Sequence, residues 1–360
     1  MVIELIDNGS YFSGNLEKLL ITQINSSVDI DVKVGDYTAM DREKFYPDSF
    51  GQVVLHDFGK LIQSYFSFPD LSNTADFYSI EPLKVLLSCQ DKTSTVYRTI
   101  YVVYSKAKVS MSTPATGMIY SRYKKNVYTA LGREEYIPLY AEENSALKLG
   151  VAYLSDNNPK YIMKDISMDN RSGMMACRVS LSRIASLFNL PASNILYYDA
   201  MVSDGTKGDK LRYMVDDRSY KNATNFLFLN NFGIPEAITL TGIVEYEPVL
   251  EGDILSLLDK DIRANPGIVD VRTVNSGFLS NDKYNALMDM LTSADIRVHG
   301  DGALRKVVIT DIDFKHRKTG YERFSVTVTY RPAERCYAVF ERLGDNTPRI
   351  FDKTFDYTFI

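Results

Sequence analysis

The sequence contains no tryptophan and, among its 360 residues, only three histidines and three cysteines. Cys89, Cys177 and Cys336 are separated by 88 and 159 residues, so their spacing fits neither a metal-ligand pair nor a disulfide framework. We interpret them as reduced and mostly buried small side chains. The cysteines therefore predict no structural metal and no oxidised scaffold.

Long apolar runs are also missing. No window approaches the roughly 18 apolar residues that a membrane helix needs. The N-terminal sequence MVIELIDNGSYFSG has no basic segment and no uninterrupted apolar segment, which argues against a signal peptide. We expect a soluble chain that is made in a cytoplasm and has no membrane partner.

Positive charge is not in excess, since the net charge is -5 and the pI is about 5.4. Such a balance argues against a protein built to coat nucleic acid. One local run combines basic and aromatic side chains that can hold phosphates and stack bases; it consists of Tyr120, Arg122, Tyr123, Lys124, Lys125 and Tyr128. Because the whole chain is acidic, we favour a solvated connector, or a basic arm docked on an acidic neighbouring subunit, over a nucleic-acid site.

Catalytic signatures are lacking as well: no HExxH, GxSxG or P-loop pattern occurs. His56, His299 and His316 are scattered, and we interpret them as structural or surface residues. Asp311 and Asp313 would share one face of an alternating strand, which favours a solvated sheet face over a metal site. We expect no catalytic, cofactor-binding or metal-binding residue and no cofactor.

Aromatic residues other than tryptophan are abundant, with 25 Tyr and 18 Phe. Together with the Thr, Val and Ile spread through the chain they favour strands. The predicted fold is mainly β (α+β), with tandem β-sandwich-like modules that each carry a short helix, and a C-terminal β-rich module with one longer helix. The predicted division is 1–108 and 138–220 for the two sandwich-like modules, 109–137 for a connector or arm, 221–345 for the C-terminal module and 346–360 for a tail.

Two similar patterns suggest an internal duplication. In the first module Val28 to Val34 alternates with a period of two, and Asp57 precedes a helical stripe. In the second module Met175–Val179 is predicted as a strand, Ser180 as a helix N-cap, and another stripe follows. Duplication of a sandwich-like module is therefore a hypothesis.

The C-terminal module carries the strongest helix signal, over 281–292. Ser280 or Asn281 is the predicted N-cap, and the predicted apolar stripe consists of Tyr284, Leu287, Met288 and Leu291. Residues 306–314 and 324–330 alternate and are predicted to form an antiparallel hairpin.

The stretch NATNFLFLNNFGIPEAITLTG, residues 222–242, is the segment around which we expect the chain to be organised. An apolar strand over 226–229 precedes a turn over 230–235, which we call the central turn, and a second strand follows. Phe232 and Ile234 lie at the tip of this turn. We expect the turn to be exposed on its own strands and to serve as a contact surface that a neighbouring domain or subunit covers. Packing inside the chain is the alternative.

The segment FLFLNNFGIPEAITLTG resembles a recurring element of structural proteins of tailed phages and prophages of gut bacteria, crAss-like phages included. The later order of a helix, a Ser-led strand, a strand ending in Thr-Asp and the strand FSVTVTYR is similar, as is the upstream Tyr-Pro-Asp followed by a Gly-led strand and a helix. This resemblance implies an assembly component of a tail, a baseplate or a head-to-tail ring. It implies no catalytic residues.

From the resemblance and the central turn we expect a virion structural protein that assembles with itself in a cyclic ring and contacts other tail or portal-adjacent proteins. Nucleic acid would be met only through proximity to packaged DNA. The candidate interface residues are Phe232, Ile234, Pro235, Tyr120, Arg122, Tyr123, Lys124, Lys125, Phe355, Tyr357 and Phe359. The alternative is a carbohydrate-binding or adhesion module at the tail tip, which an exposed row of tyrosines on one sheet face would favour. A depolymerising enzyme would need a carboxylate pair in a cleft.

Overall fold

The structure is a computed structural model. It describes residues 1–334 except 5, 73, 125, 143–144, 169–171, 206–207, 217–222, 258–259, 301–302 and 315–324. Over these residues the chain is mainly β and its buried apolar side chains form three clusters, the first of which also includes Tyr140, Met174 and Ile234 from later modules. The predicted fold class is confirmed.

The first sandwich has a small and a large sheet. Its elements are β1 (Val2–Glu4), β2 (Gly9–Phe12), β3 (Lys18–Thr22), β4 (Val28–Val34), β5 (Tyr37–Phe45), β6 (Val53–His56), α1 (Phe58–Gln63), β7 (Phe77–Ile80), β8 (Leu83–Gln90) and β9 (Thr95–Val103). The small sheet has the order β1-β3-β6 and the large one β2-β9-β8-β4-β5. As the alternation in β4 predicts, Val28, Ile30, Val32 and Val34 are fully buried.

The second sandwich follows the same plan. Its elements are β10 (Asn126–Thr129), β11 (Tyr136–Ala141), β12 (Ala146–Ser155), β13 (Asn158–Ile166), β14 (Gly173–Arg178), α2 (Leu181–Phe188), β15 (Ile195–Ser203) and β16 (Gly208–Val215). The large sheet has the order β10-β16-β15-β12-β13 and the small one β11-β14-β7. Strand β10 lies inside the predicted connector, so this part of the connector belongs to a sheet.

The two sandwiches share one topology. In each, the first strand of the large sheet runs parallel to the last (β2 with β9, β10 with β16), and the next three strands pair antiparallel in matching order. In each, an antiparallel pair of the small sheet is followed by the short helix. A large sheet of this order facing a smaller one is the arrangement of immunoglobulin-type sandwiches. The shared topology supports the duplication hypothesis.

Strand β7 crosses from the first module into the second. It pairs with β14 from Met174 opposite Ile80 to Cys177 opposite Phe77. Next to this ladder, the Arg183 guanidinium of α2 lies 3.2 Å from the Asp76 carboxylate and over the Phe77 ring. The module boundaries stay a prediction, but one sheet crosses them, because β7 of the predicted first module pairs with β14 of the second.

The third module is a seven-stranded antiparallel sheet with one helix. Its elements are β17 (Thr224–Leu229), β18 (Pro235–Leu240), β19 (Val244–Leu257), β20 (Lys260–Asn275), α3 (Asn281–Leu291), β21 (Ile296–Gly300), β22 (Ala303–Phe314) and β23 (Val326–Pro332), and the sheet has the order β18-β17-β21-β22-β23-β20-β19. The predicted pairing of the last two strands is confirmed.

The helix predictions hold in part. Ser280 caps α3, since its Oγ accepts a hydrogen bond from the Lys283 N–H at 3.2 Å. The buried face of α3 is rotated from the predicted stripe, because Ala286, Leu287 and Met290 are the buried residues. Asp57 and Ser180 occupy the N-cap positions of α1 and α2, but neither side chain makes a cap hydrogen bond.

Strands β19 and β20, of 14 and 16 residues, form a long hairpin. Only Arg272 to Asn275 of β20 pair with β23, so residues 247–257 and 260–271 extend past the third strand as a two-stranded ribbon, with Glu245 and Tyr246 at its base. At about 3.4 Å per residue the ribbon is roughly 40 Å long. We refer to these residues as the ribbon.

Gly59 allows α1 to touch the turn over Ser13–Asn15. A Cβ at Gly59 would lie 2.0 Å from the Ser13 carbonyl oxygen, and the Gly59 N–H donates to the Leu16 carbonyl oxygen at 2.6 Å. We expect Gly59→Ala to lower the free energy of unfolding by about 1–3 kcal/mol through overpacking.

Denaturant unfolding of Gly59→Ala measures this loss. Gly9→Ala is the matched control, because the nearest atom to a Cβ there is 3.8 Å away. Equal stability of the two variants would contradict the close approach.

Candidate functional site: the module junction and the exposed sheet surfaces

The central turn is buried inside the chain. Asn230, Asn231 and Ile234 are at most 5% exposed, and Pro235 is also buried. The Phe232 ring packs edge-on against Tyr120 at a centroid distance of 5.0 Å and lies 5.8 Å from the Phe12 ring. The predicted exposure of this turn is wrong, because the first module and the connector cover its apolar tip.

Hydrogen bonds fasten the central turn from both sides. The Asn231 carbonyl oxygen accepts from the Lys106 N–H at 2.7 Å, and its Oδ1 accepts from the Ala107 N–H at 2.8 Å. Asn230 accepts from the Phe232 N–H at 2.9 Å and donates to Glu236 Oε2 at 3.0 Å. The turn therefore joins the first module to the third.

Asn230→Ala is expected to cost about 1–3 kcal/mol, because the Glu236 carboxyl and the Phe232 N–H would lose a partner where little water reaches. Urea unfolding measures this cost. Asn230→Asp tests the donor separately, since a second carboxylate would face Glu236, and it should destabilise at least as much. An alanine variant as stable as the wild type would contradict this account of the turn.

The basic run of the connector is anchored on α3. Tyr120 is buried, and its hydroxyl donates to the Ala115 carbonyl oxygen at 3.0 Å. Arg122 is exposed, with Nε 3.7 Å from Asp289 Oδ2. An acidic partner of Arg122 thus lies in the same chain, and docking of this arm on another subunit stays a prediction.

The remaining candidates differ in position. Tyr123 is half-buried, and Lys124 is exposed while its N–H donates to Asp282 Oδ2 at 3.0 Å. Three candidates lie at the C-terminus, and together with Lys125 they fall outside the described residues; they are Phe355, Tyr357 and Phe359. Asp311, Asp313 and His56 are exposed, as expected for surface positions.

Buried carboxyl groups surround the region where the three modules meet, which we call the junction. The sequence analysis did not predict them. Burial raises the pKa of Glu135 to about 8 and that of Glu236 to about 7. Glu236 also accepts hydrogen bonds from the Ser121 hydroxyl and from Asn230. The available signal was the acidic pair Glu134-Glu135 placed directly before the apolar strand β11.

Glu134 is held by an arginine. Its two carboxylate oxygens accept from Arg178 Nε and Nη2, both at 2.7 Å, in a bidentate pair. The Glu134 N–H donates to Asn225 Oδ1 at 3.1 Å, which connects β17 of the third module to the second sandwich. The three modules therefore meet through polar as well as apolar contacts.

A surface cavity of about 430 Å³ lies beside this junction. Its walls combine the chain after β9, the connector, the central turn and α3, through Lys106, Ala107, Arg122, Asn231, Asn285, Met288, Asp289 and Thr292. The raised-pKa carboxyls Glu135 and Glu236 do not line it. Within the described ranges, no group of three or more His, Cys, Asp or Glu residues is arranged to hold a metal ion.

Exposed apolar residues concentrate on the ribbon. Tyr246 and Ile254 are 63% and 62% exposed, and Val249 and Ile268 exceed 40%. The free edge of β19 includes Pro248, which has no N–H to offer a further strand. The exposed apolar faces of the ribbon are therefore better suited to binding a partner than its edge is to pairing with a further strand.

The outward face of the second sandwich's large sheet is a second exposed surface, which we call the outer face. Asp199 on this face is buried beneath Arg212, with a bidentate contact at 2.7 and 3.0 Å, and the guanidinium lies 4.0 Å from the centre of the Tyr197 ring. Tyr161 crosses Gly150 to donate to Asp199 Oδ2 at 3.2 Å. Ordered aromatic and cationic side chains therefore cover the middle of this sheet.

In the described part of the chain, no helix is long and apolar enough to span a membrane.

Comparisons with known proteins assign this chain to no family. No family model and no curated protein sequence matches the chain. Among solved structures, titin Ig tandem domains are similar with 11% identity and a TM-score of 0.23, covering 60% of this chain and 97% of that one. A chimeric titin Z1Z2 tandem functionalised with an exogenous GRGDS peptide from fibronectin shows 8% identity and a TM-score of 0.16, covering 60% of this chain and 98% of that one.

Proposed function

We propose that this chain is a structural protein of a tailed-phage virion, placed as a ring or baseplate component in the tail or the head-to-tail region. The observation that carries the proposal is the contrast between a junction that fixes three modules together and a ribbon that leaves apolar side chains in water. Exposed apolar area of this kind is typical of interaction sites. The resemblance of the central stretch to phage structural proteins supports the same assignment.

A structural role also fits the arrangement of the carboxyl groups. An inverting or retaining glycosidase holds two carboxyl groups on opposite sides of a cleft. Here Glu135 and Glu236 are buried between modules and do not line the described cavity, whose lining residues include one carboxyl group, that of Asp289. We therefore propose a non-enzymatic protein whose partners are copies of itself and other tail proteins.

Native mass spectrometry and negative-stain imaging across a concentration series, together with mass spectrometry of purified phage particles, test this function. We expect closed oligomers and a fixed copy number of the chain in every particle. A chain that stays monomeric and is missing from particles would overturn the proposal.

Carbohydrate binding at the tail tip is the second candidate, because Tyr97 and Tyr101 lie on the outward side of β9 and are 70% and 46% exposed. Such rings can stack on sugar faces. A glycan array would decide it: binding lost in Tyr97→Ala favours the adhesion module, and an empty array removes it.

A further inference from the structure

The ribbon is expected to be only marginally stable in water without a partner. Two strands without a third are marginally stable, and this pair continues for about 40 Å with apolar residues exposed. By sequence, the ribbon, its base included, contains six acidic and two basic residues, and the charged residues of β19 are all acidic. The ribbon therefore suits a partner surface that is apolar and positively charged.

The outer face has these properties. Met163 is 51% exposed and Tyr161 45% exposed, while Met201 and Met214 are half-buried beside them. Methionine, tyrosine and arginine are the residue types that protein interfaces favour. The outer face thus has both the composition and the exposure that protein interfaces favour.

Charge on the outer face is complementary to the ribbon. Lys148 and Lys210 are exposed at its edges, and Arg212 lies at its centre. Lys148 pairs with the exposed Asp165 at 3.3 Å. Asp199 is buried beneath Arg212 and Lys210, so the three cations outnumber the two carboxylates that pair with them.

We propose that the ribbon of one copy lies across the outer face of the second sandwich in the next copy. The inference rests on the proposed assembly function and names the contact that performs it. The two surfaces are different parts of one chain, so the contact is heterologous and generates a ring when the rotation between copies closes. Pro248 interrupts strand addition along β19, so the contact is made by the faces of the ribbon.

Disulfide trapping tests the geometry. In the otherwise intact chain with Cys336→Ser, the pair Ile268→Cys and Met163→Cys should give intermolecular disulfides under mild oxidation, because the native Cys89 and Cys177 are buried. The matched control combines Ile268→Cys with Leu86→Cys on the outward side of the first sandwich, where Leu86 is 39% exposed. Equal cross-linking in the two pairs overturns the inference.

Charge reversal tests the energetics. Glu245→Lys with Glu247→Lys, or Lys148→Glu with Lys210→Glu, should each weaken self-association at least about tenfold, because like charges would face each other. All four substitutions in one chain should restore association to within about threefold of the wild type. Circular dichroism and thermal melts confirm that each variant is folded.

The outcomes separate the two proposals. Closed oligomers that survive both charge reversals, or folded quadruple variants that remain dissociated, overturn the ribbon contact and leave the assembly function standing. A wild-type chain that is monomeric at every concentration overturns the ribbon contact. If that chain is also missing from particles, the assembly function falls with it.

Discussion

Raising the pH from about 5 to about 8.5 is expected to lower the free energy of unfolding by several kcal/mol. Burial raises the pKa of Glu135 to about 8 and that of Glu236 to about 7, from an ordinary value of 4.5. The folded state therefore holds more protons than the unfolded chain in this range, and stability decreases as pH rises. The stabilisation is complete below about pH 4.5 and is lost as pH passes the two raised pKa values.

Neighbouring charged residues also affect how the free energy of unfolding depends on pH. Arg133 faces Glu135 and Arg122 faces Glu236, and both lower the carboxyl pKa values in part. On α3, burial raises the pKa of Asp289, which adds to the trend. Burial lowers the pKa of Lys283 to about 8, so this residue contributes stability only as pH rises above that value and opposes the trend at alkaline pH.

Urea unfolding at several pH values measures the effect. Glu135→Gln with Glu236→Gln should flatten the profile between pH 5 and 8.5, since neither position could then exchange a proton. Glu247→Gln on the exposed ribbon is the control and should follow the wild type. Hydrogen bonds from Thr93 lower the pKa of Asp91 to about 2, so this residue changes the free energy of unfolding only at acid pH. A wild-type profile that rises across the range would refute the prediction.

Breaking the Glu134–Arg178 pair is the second large effect that we expect. Arg178→Met would leave the Glu134 carboxylate, in a residue only 7% exposed, without its bidentate partner. Removing one member of a buried ion pair costs about 3–5 kcal/mol, because the remaining charge stays desolvated. Arg178→Lys should be intermediate, since an ammonium group cannot reproduce two parallel N–H donors.

The matched variant replaces both members, as Glu134→Leu with Arg178→Met. Apolar replacement of a whole buried pair is often close to neutral, so the double variant should recover most of the stability that Arg178→Met loses. Chemical denaturation of the three variants gives the comparison. A cost below about 1 kcal/mol for Arg178→Met would show that the pair contributes little.

Much of the fold follows from local patterns. The alternation of β4 and β23 predicts their strands, because each exposes one face and buries the other. Ser280 predicts the start of α3, because a side-chain oxygen at that position can accept from an amide of the first turn. Local sequence does not determine which face of α3 is buried, because that depends on how the helix packs on the sheet.

The junction could not be read from sequence because its contacts are distant along the chain. The central turn is buried only when Tyr120 and Phe12, more than 100 residues away, cover Phe232. Charged residues are rarely fully buried, so Glu134 reads as a surface residue until Arg178 is placed opposite it. The ribbon was missed because Pro248 and several acidic residues interrupt the usual strand pattern of β19.

Strand β7 has a consequence for how the chain reaches its native state. Because it pairs with β14, the small sheet of the second sandwich is complete only when a segment made about 100 residues earlier returns to it. Ribosomal synthesis must therefore proceed beyond Arg178 before the small sheet of the second sandwich can form, and contacts of such sequence separation slow folding. Cutting the chain between the sandwiches would leave β14 with an open edge, so the two modules should melt in a single cooperative transition.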